Sequence, residues 1–167
     1  GFLATADLLP ALADSGHPDV AYDLLFQRTP PSWLAMLDGG ATTIWEEWEG
    51  VEADGTAHAS LNHYSKGAVV RFLHTHTLGL QQVDDSVAWE SFVVAPVPHP
   101  SISWASGTLV TPQGTISVKW AVDGPDLILT VDVPAGSTAQ LVFPDGFHRS
   151  VGPGSFTERR SLAASYG

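Results

Sequence analysis

The spacing of the apolar residues changes once along this chain, and that change limits the folds it can form. In residues 5–80 apolar side chains recur three or four positions apart, as Leu8, Leu9 and Leu12 do, which is typical of amphipathic helices. In residues 116–122 and 127–133 they occupy every second position, and the four residues between these runs form a typical hairpin turn. Further strands are expected at 91–95, 101–110, 139–143 and 155–159. We therefore predict a helical domain over residues 1–82 and an antiparallel β-sandwich over residues 83–167.

Glycine and proline mark where the predicted helices end and begin. Gly16 ends the first helix, and Pro18 begins the second. A long stretch follows at residues 32–60, with one short helical candidate at its start. Loops of this length in compact domains are usually functional. Asn62 is then expected to cap a third helix, which ends near Gly79.

Charge and composition exclude several kinds of partner. Seven Lys and Arg residues against 18 Asp and Glu give a net charge of −11, so we expect binding neither to nucleic acid nor to an anionic membrane. No apolar run approaches the roughly 20 residues of a membrane helix. The absence of cysteine excludes disulfides and thiolate metal sites. The chain begins with neither Met nor a signal peptide, and we interpret it as part of a larger protein.

The long stretch contains the most informative segment, Trp45-Glu46-Glu47-Trp48. Glycoside hydrolysis uses carboxyl groups, and aromatic rings can stack on the apolar faces of sugars, so this combination is typical of a sugar-cleaving site. Glu46 could act as a general base that activates water. The alternative is a solvated acidic loop, which the run of carboxylates by itself favours. The two glutamates are adjacent, so they cannot flank a scissile bond from opposite sides.

The aromatic residues and the histidine near this segment each have two interpretations. Trp45 and Trp48 could stack on a sugar or fill the core, whereas we expect Trp33 to be a core residue. His63 follows the long stretch and could bond a sugar hydroxyl, although the pattern by itself favours a ring satisfied by the main chain or by water. The sequence contains no HExxH, EF-hand, P-loop or GxGxxG motif, so we expect no metal and no cofactor.

Several segments together resemble the bacterial α-L-rhamnosidases of glycoside hydrolase family 78. The resemblance covers roughly residues 1–145, in the family's order, and rests mainly on Gly39–Gly50, Leu61–Val69 and Thr111–Trp120. It implies the last helices of an (α/α)6 barrel followed by an antiparallel β-sandwich. It also implies the removal of terminal α-L-rhamnose from rhamnosides with inversion, without a metal or cofactor.

The resemblance assigns roles to four residues. It implies that Glu46 is the general base, that His63 contacts rhamnose, and that Trp45 and Trp48 wall the sugar subsite. An inverting site also needs a general acid, which in this family lies upstream in the barrel. We therefore expect that this chain carries the base, lacks the acid and the N-terminal part of the barrel, and is inactive by itself.

Three alternatives remain open at this point. The chain could come from another (α/α)6 glycosidase. The sandwich could be a noncatalytic carbohydrate-binding module that uses Trp104 or Trp120, although both lie in predicted strands and are more simply core residues. It could also be a purely structural module that shields the barrel.

Overall fold

The computed structural model describes residues 4–162 of the chain. The chain forms two compact units that divide between Phe72 and Leu73. We call them the helical unit and the sheet unit. The division predicted from the sequence followed residue 82, whereas strand β1, at Leu80–Gln82, already belongs to the sheet unit.

The helical unit begins with two helices joined by a tight turn. Its helices are α1 (Thr5–Asp14), α2 (Pro18–Phe26), α3 (Trp33–Asp38), α4 (Tyr64–Gly67) and α5 (Val69–Phe72). Gly16 has a φ of +87°, a left-handed conformation that favours glycine, and Pro18 is the first residue of α2. The predicted end of the first helix and start of the second are therefore confirmed.

The segment predicted as a third helix is interrupted, and its cap differs from the prediction. His63, not Asn62, is the N-cap of α4, because its backbone is extended and its Nδ1 accepts a hydrogen bond from the Ser65 amide at 3.3 Å. The Asn62 amide instead donates to the Ser60 hydroxyl. After α4 and α5 the chain continues as a π-helical turn at Leu73–Thr77.

Aromatic side chains make up much of the core of the helical unit. Tyr22 is fully buried, and its ring meets that of Phe72 edge-on with 5.3 Å between the centroids. Leu9 from α1 and Met36 from α3 are buried as well. The Tyr22–Phe72 contact packs α2 against α5, and α1 and α3 each contribute a buried side chain to the core of this unit.

The described part of the sheet unit, which ends at Leu162, contains two four-stranded sheets. Its strands are β1 (Leu80–Gln82), β2 (Ser91–Val94), β3 (Trp104–Thr111), β4 (Gly114–Asp123), β5 (Asp126–Val133), β6 (Thr138–Val142), β7 (His148–Val151) and β8 (Gly154–Ser161). One sheet has the order β1-β2-β6-β7 and the other β3-β4-β5-β8. All pairings among these strands are antiparallel except that of β2 with β6, which is parallel.

The tryptophans of the sheet unit have opposite environments. Trp120 is fully buried, and its indole Nε1 donates to the Thr77 carbonyl at 2.8 Å, so its predicted core role is confirmed. Trp104 stands at the start of edge strand β3 and is 63% exposed, so the same prediction is wrong for Trp104. The strand pattern indicates alternation but not which edge positions a neighbour covers.

Candidate active site

The loop between α3 and α4 folds back on itself as an irregular hairpin. The Glu46 amide donates to the Ser60 carbonyl, and the His63 amide donates to the Ile44 carbonyl, each at 2.8 Å. Nearer the tip, the His58 amide donates to the Gly50 carbonyl at 2.8 Å. The stretch that was expected to be a long loop is thus held by main-chain hydrogen bonds, which places its two ends side by side.

The Glu46 carboxylate is held at one oxygen and faces a histidine with the other. Its Oε2 accepts a hydrogen bond from the Ser60 amide at 3.1 Å. Its Oε1 lies 3.8 Å from Nε2 of His63. The Glu46 side chain is 29% exposed, so solvent or a ligand can reach a carboxylate whose orientation is already fixed. This combination is what a general base requires.

The two ring nitrogens of His63 have different tasks. Nδ1 accepts a hydrogen bond from the Ser65 amide and so carries no proton in the neutral ring. The ring proton is therefore on Nε2, the nitrogen that faces Glu46. The ring stacks on Tyr64 with 5.1 Å between the centroids. The main chain thus satisfies His63 at Nδ1, while Nε2 faces the carboxylate of Glu46.

The three tryptophans near the hairpin differ in how much surface they offer. Trp33 is buried, as expected, and its Nε1 donates to the Lys66 carbonyl at 2.9 Å. Trp45 is 7% exposed and packs against Gly50. Trp48 is half-buried and meets Trp33 edge-on at 5.3 Å. Trp45 therefore leaves little ring surface for a sugar, and the predicted stacking role fits Trp48 better than Trp45.

Glu47 is exposed, unlike its partly buried neighbour Glu46. It lines an open pocket of about 360 Å³ together with Pro30, Pro31, Trp48 and Glu49. The alternative interpretation of the segment, a solvated acidic face, describes Glu47 and its exposed neighbour Glu49 well. It does not describe Glu46.

Two further properties concern the described part of the chain as a whole. Within residues 4–162, no group of three or more His, Asp or Glu side chains is arranged to hold a metal ion. No helix in that range combines the length and the apolar character that crossing a bilayer requires.

Comparison with known protein families accounts for both units. Residues 1–77 match the profile of the bacterial alpha-L-rhamnosidase 6 hairpin glycosidase domain, and residues 79–155 match that of the bacterial alpha-L-rhamnosidase C-terminal domain. Alpha-L-rhamnosidases from Streptomyces avermitilis and Formosa agariphila are each 36% identical to the chain in alignments of 148 positions that cover 86% of the chain. The chain spans only 14% and 16% of their respective lengths.

Solved structures give the same result. The Streptomyces avermitilis alpha-L-rhamnosidase complexed with L-rhamnose aligns with a TM-score of 0.87 at 32% identity, over 96% of this chain and 18% of that one. The enzyme from Aspergillus terreus aligns with a TM-score of 0.88 at 32% identity, over 95% of this chain and 19% of that one. By resemblance, the chain is a piece of a glycoside hydrolase. It belongs to the bacterial α-L-rhamnosidase family, and the predicted fold class, helices of an (α/α)6 barrel followed by an antiparallel sandwich, is confirmed.

Proposed function

We propose that this chain supplies the general-base side of an inverting α-L-rhamnosidase active site. The observation that carries the proposal is the Glu46 carboxylate, with Oε2 fixed by the Ser60 amide and Oε1 directed at Nε2 of His63. In this mechanism Glu46 takes a proton from the attacking water. His63 donates a hydrogen bond from its Nε2–H to a hydroxyl of the terminal rhamnose, and Trp48 borders the subsite.

The general acid is proposed to come from outside these 167 residues. Inverting glycosidases place the two carboxyl groups roughly 6.5–9.5 Å apart on opposite sides of the scissile bond. Glu47 directly follows Glu46 in the chain and lines the pocket beside Pro30, so it is not suited to this task. We therefore propose that the missing part of the helical barrel contributes the acid, and that the sheet unit has a structural role.

The test uses a full-length rhamnosidase that carries this chain, assayed on p-nitrophenyl α-L-rhamnoside. Glu46→Gln keeps the side-chain shape but removes the basic oxygen, so kcat is expected to fall by about 10²–10⁴-fold. Glu47→Gln is the matched control, because it makes the same chemical change one residue away, and it should stay within about twofold of the unmodified enzyme. Equal losses in the two variants, or an active Glu46→Gln, would refute the assignment.

Two further measurements test the remaining parts of the proposal. Proton NMR of the first product should detect β-L-rhamnose, the inverted anomer, before mutarotation; initial release of the α-anomer would exclude inversion. The 167-residue chain itself should release no nitrophenol. Release that Glu46→Gln abolishes would show that the chain also contains the acid.

A further inference from the structure

A buried lysine lies directly behind the candidate site. Lys66, in α4, is only 3% exposed, although lysine is among the residue types least often buried. The chain has one other lysine, Lys119 on β4, and that residue is exposed. An ammonium group is costly to remove from water unless polar groups compensate for the lost hydration, so the surroundings of Lys66 call for a physical explanation.

The Lys66 side chain links the main chain of the candidate base to the neighbouring aromatic rings. Its Nζ donates a hydrogen bond to the main-chain carbonyl of Glu46. The same Nζ lies 4.3 Å from the centroid of the Trp48 ring, within cation–π range. The Lys66 carbonyl accepts the indole N–H of Trp33 at 2.9 Å.

These contacts complete the restraint of Glu46. Its amide is bonded to the Ser60 carbonyl, its carbonyl is bonded to Lys66, and one carboxylate oxygen is bonded to the Ser60 amide. Without Lys66 the carbonyl of Glu46 would lose a charged donor, and its peptide could rotate. Because the carboxylate is attached to that backbone, such a rotation would move Oε1 relative to His63.

We infer that Lys66 is a positioning residue for the general base: its ammonium fixes the backbone of Glu46 and the ring of Trp48, and so sets where the carboxylate meets water and substrate. The inference rests on the proposed function of Glu46. A misplacement of about 1 Å at a reacting group can lower the rate on the order of 100-fold.

Burial gives Lys66 a signature that can be measured independently of activity. Desolvation lowers the pKa of the Lys66 ammonium, while the nearby carboxylates of Glu47 and Glu46 oppose this shift. In a lysine-labelled sample of the unmodified chain, NMR should detect one lysine that titrates at a lower pH than the other. Lys119 is the internal reference. If both lysines titrate together, Lys66 is not held in the buried contact and the inference is wrong.

The kinetic test uses Lys66→Met, which keeps the apolar stem and removes the ammonium, in the full-length enzyme. We expect kcat to fall by about 10–100-fold with KM within about twofold, since the substrate contacts remain. Lys119→Met should leave both parameters unchanged. Melting curves establish the folded fraction of each variant. A Lys66→Met enzyme that is fully folded and keeps its kcat would overturn the inference.

A double variant separates positioning from a merely structural role. If Lys66 acts through Glu46, then Glu46→Gln with Lys66→Met should be no slower than Glu46→Gln alone, because the two groups work as one unit. Losses that multiply would contradict the inference. If instead Glu46→Gln is fully active, the proposed function of Glu46 fails, whatever the effect of Lys66.

Discussion

Gly50 is where the hairpin passes closest to the Trp45 ring, and replacing it by alanine tests whether that packing supports the site. A Cβ placed on Gly50 would lie 3.0 Å from Cβ of Trp45, and 3.2 Å from each of its ring atoms Cδ2 and Cε3. Ordinary carbon contacts are about 3.5–4.0 Å, so these atoms must separate by roughly 0.5 Å. Gly50 and Trp45 are both buried, and the ring therefore has little room to retreat.

Two opposing effects set how much Gly50→Ala changes the free energy of unfolding. Overpacking a well-filled core costs about 1–3 kcal/mol. Replacing glycine by alanine reduces the entropy of the unfolded chain, which stabilises the folded protein by about 0.4–1 kcal/mol where the backbone tolerates the change. We therefore expect Gly50→Ala to lower the free energy of unfolding by about 1–2 kcal/mol.

Urea unfolding of the 167-residue chain, followed by tryptophan fluorescence, measures this effect. Gly67→Ala is the matched control: Gly67 ends α4, a Cβ added to it would meet no atom within 4 Å, and the change should be neutral or stabilising by up to about 1 kcal/mol. In a full-length enzyme, Gly50→Ala should also lower kcat, because Trp45 precedes Glu46. A Gly50→Ala chain as stable as the unmodified one would refute the reasoning.

Two further predictions concern burial in the two units. Trp120→Phe removes the hydrogen-bond donor to the buried Thr77 carbonyl, so it should lower the free energy of unfolding by about 1–3 kcal/mol in addition to the effect of the lost volume. Trp104→Phe, at an exposed position, should change the free energy of unfolding by no more than about 0.5 kcal/mol. Urea unfolding compares the two variants. The lowered pKa of Lys66 means that, between its folded value and 10.5, the unfolded chain binds a proton that the folded chain does not. The contribution of Lys66 to stability should therefore rise with pH in this window. Measured as the unfolding free energy of the unmodified chain minus that of Lys66→Met, the difference should become more positive as the pH rises toward 10.5. A difference that stays constant with pH would contradict the lowered pKa of Lys66.

Local patterns predicted the elements whose signals are local. The β4–β5 hairpin forms as expected, with Asp123 paired to Asp126, because alternation and the turn sequence specify the same register. Gly16 and Pro18 mark the ends of helices because the backbone preferences of glycine and proline act within one or two residues. Strands β1 and β7 were not predicted, since runs of three and four residues carry too few positions to establish a period.

The parts that could not be predicted depend on contacts distant in sequence. The parallel pairing of β2 with β6 joins Phe92 to Ala139, and neither strand carries a signal for the direction of its neighbour. Lys66 resembles any lysine on the surface of a short helix, because its burial comes from a hairpin some 20 residues earlier in the chain. Its sequence neighbours contain no sign of that environment.

The segment Trp45-Glu46-Glu47-Trp48 makes physical sense once its four side chains are assigned to different surroundings. Trp45 is buried, Glu46 faces His63, Glu47 is exposed, and Trp48 lies half-buried over Lys66. The buried ring anchors the chain immediately before the carboxylate, and the cation-bound ring anchors it two residues later. A catalytic group on a loop must be held nearly as firmly as one on a helix, and here the two tryptophans provide that support. The burial of Trp45 and the Lys66 contact of Trp48 are therefore explained at least as well by positioning the proposed base as by stacking on a sugar.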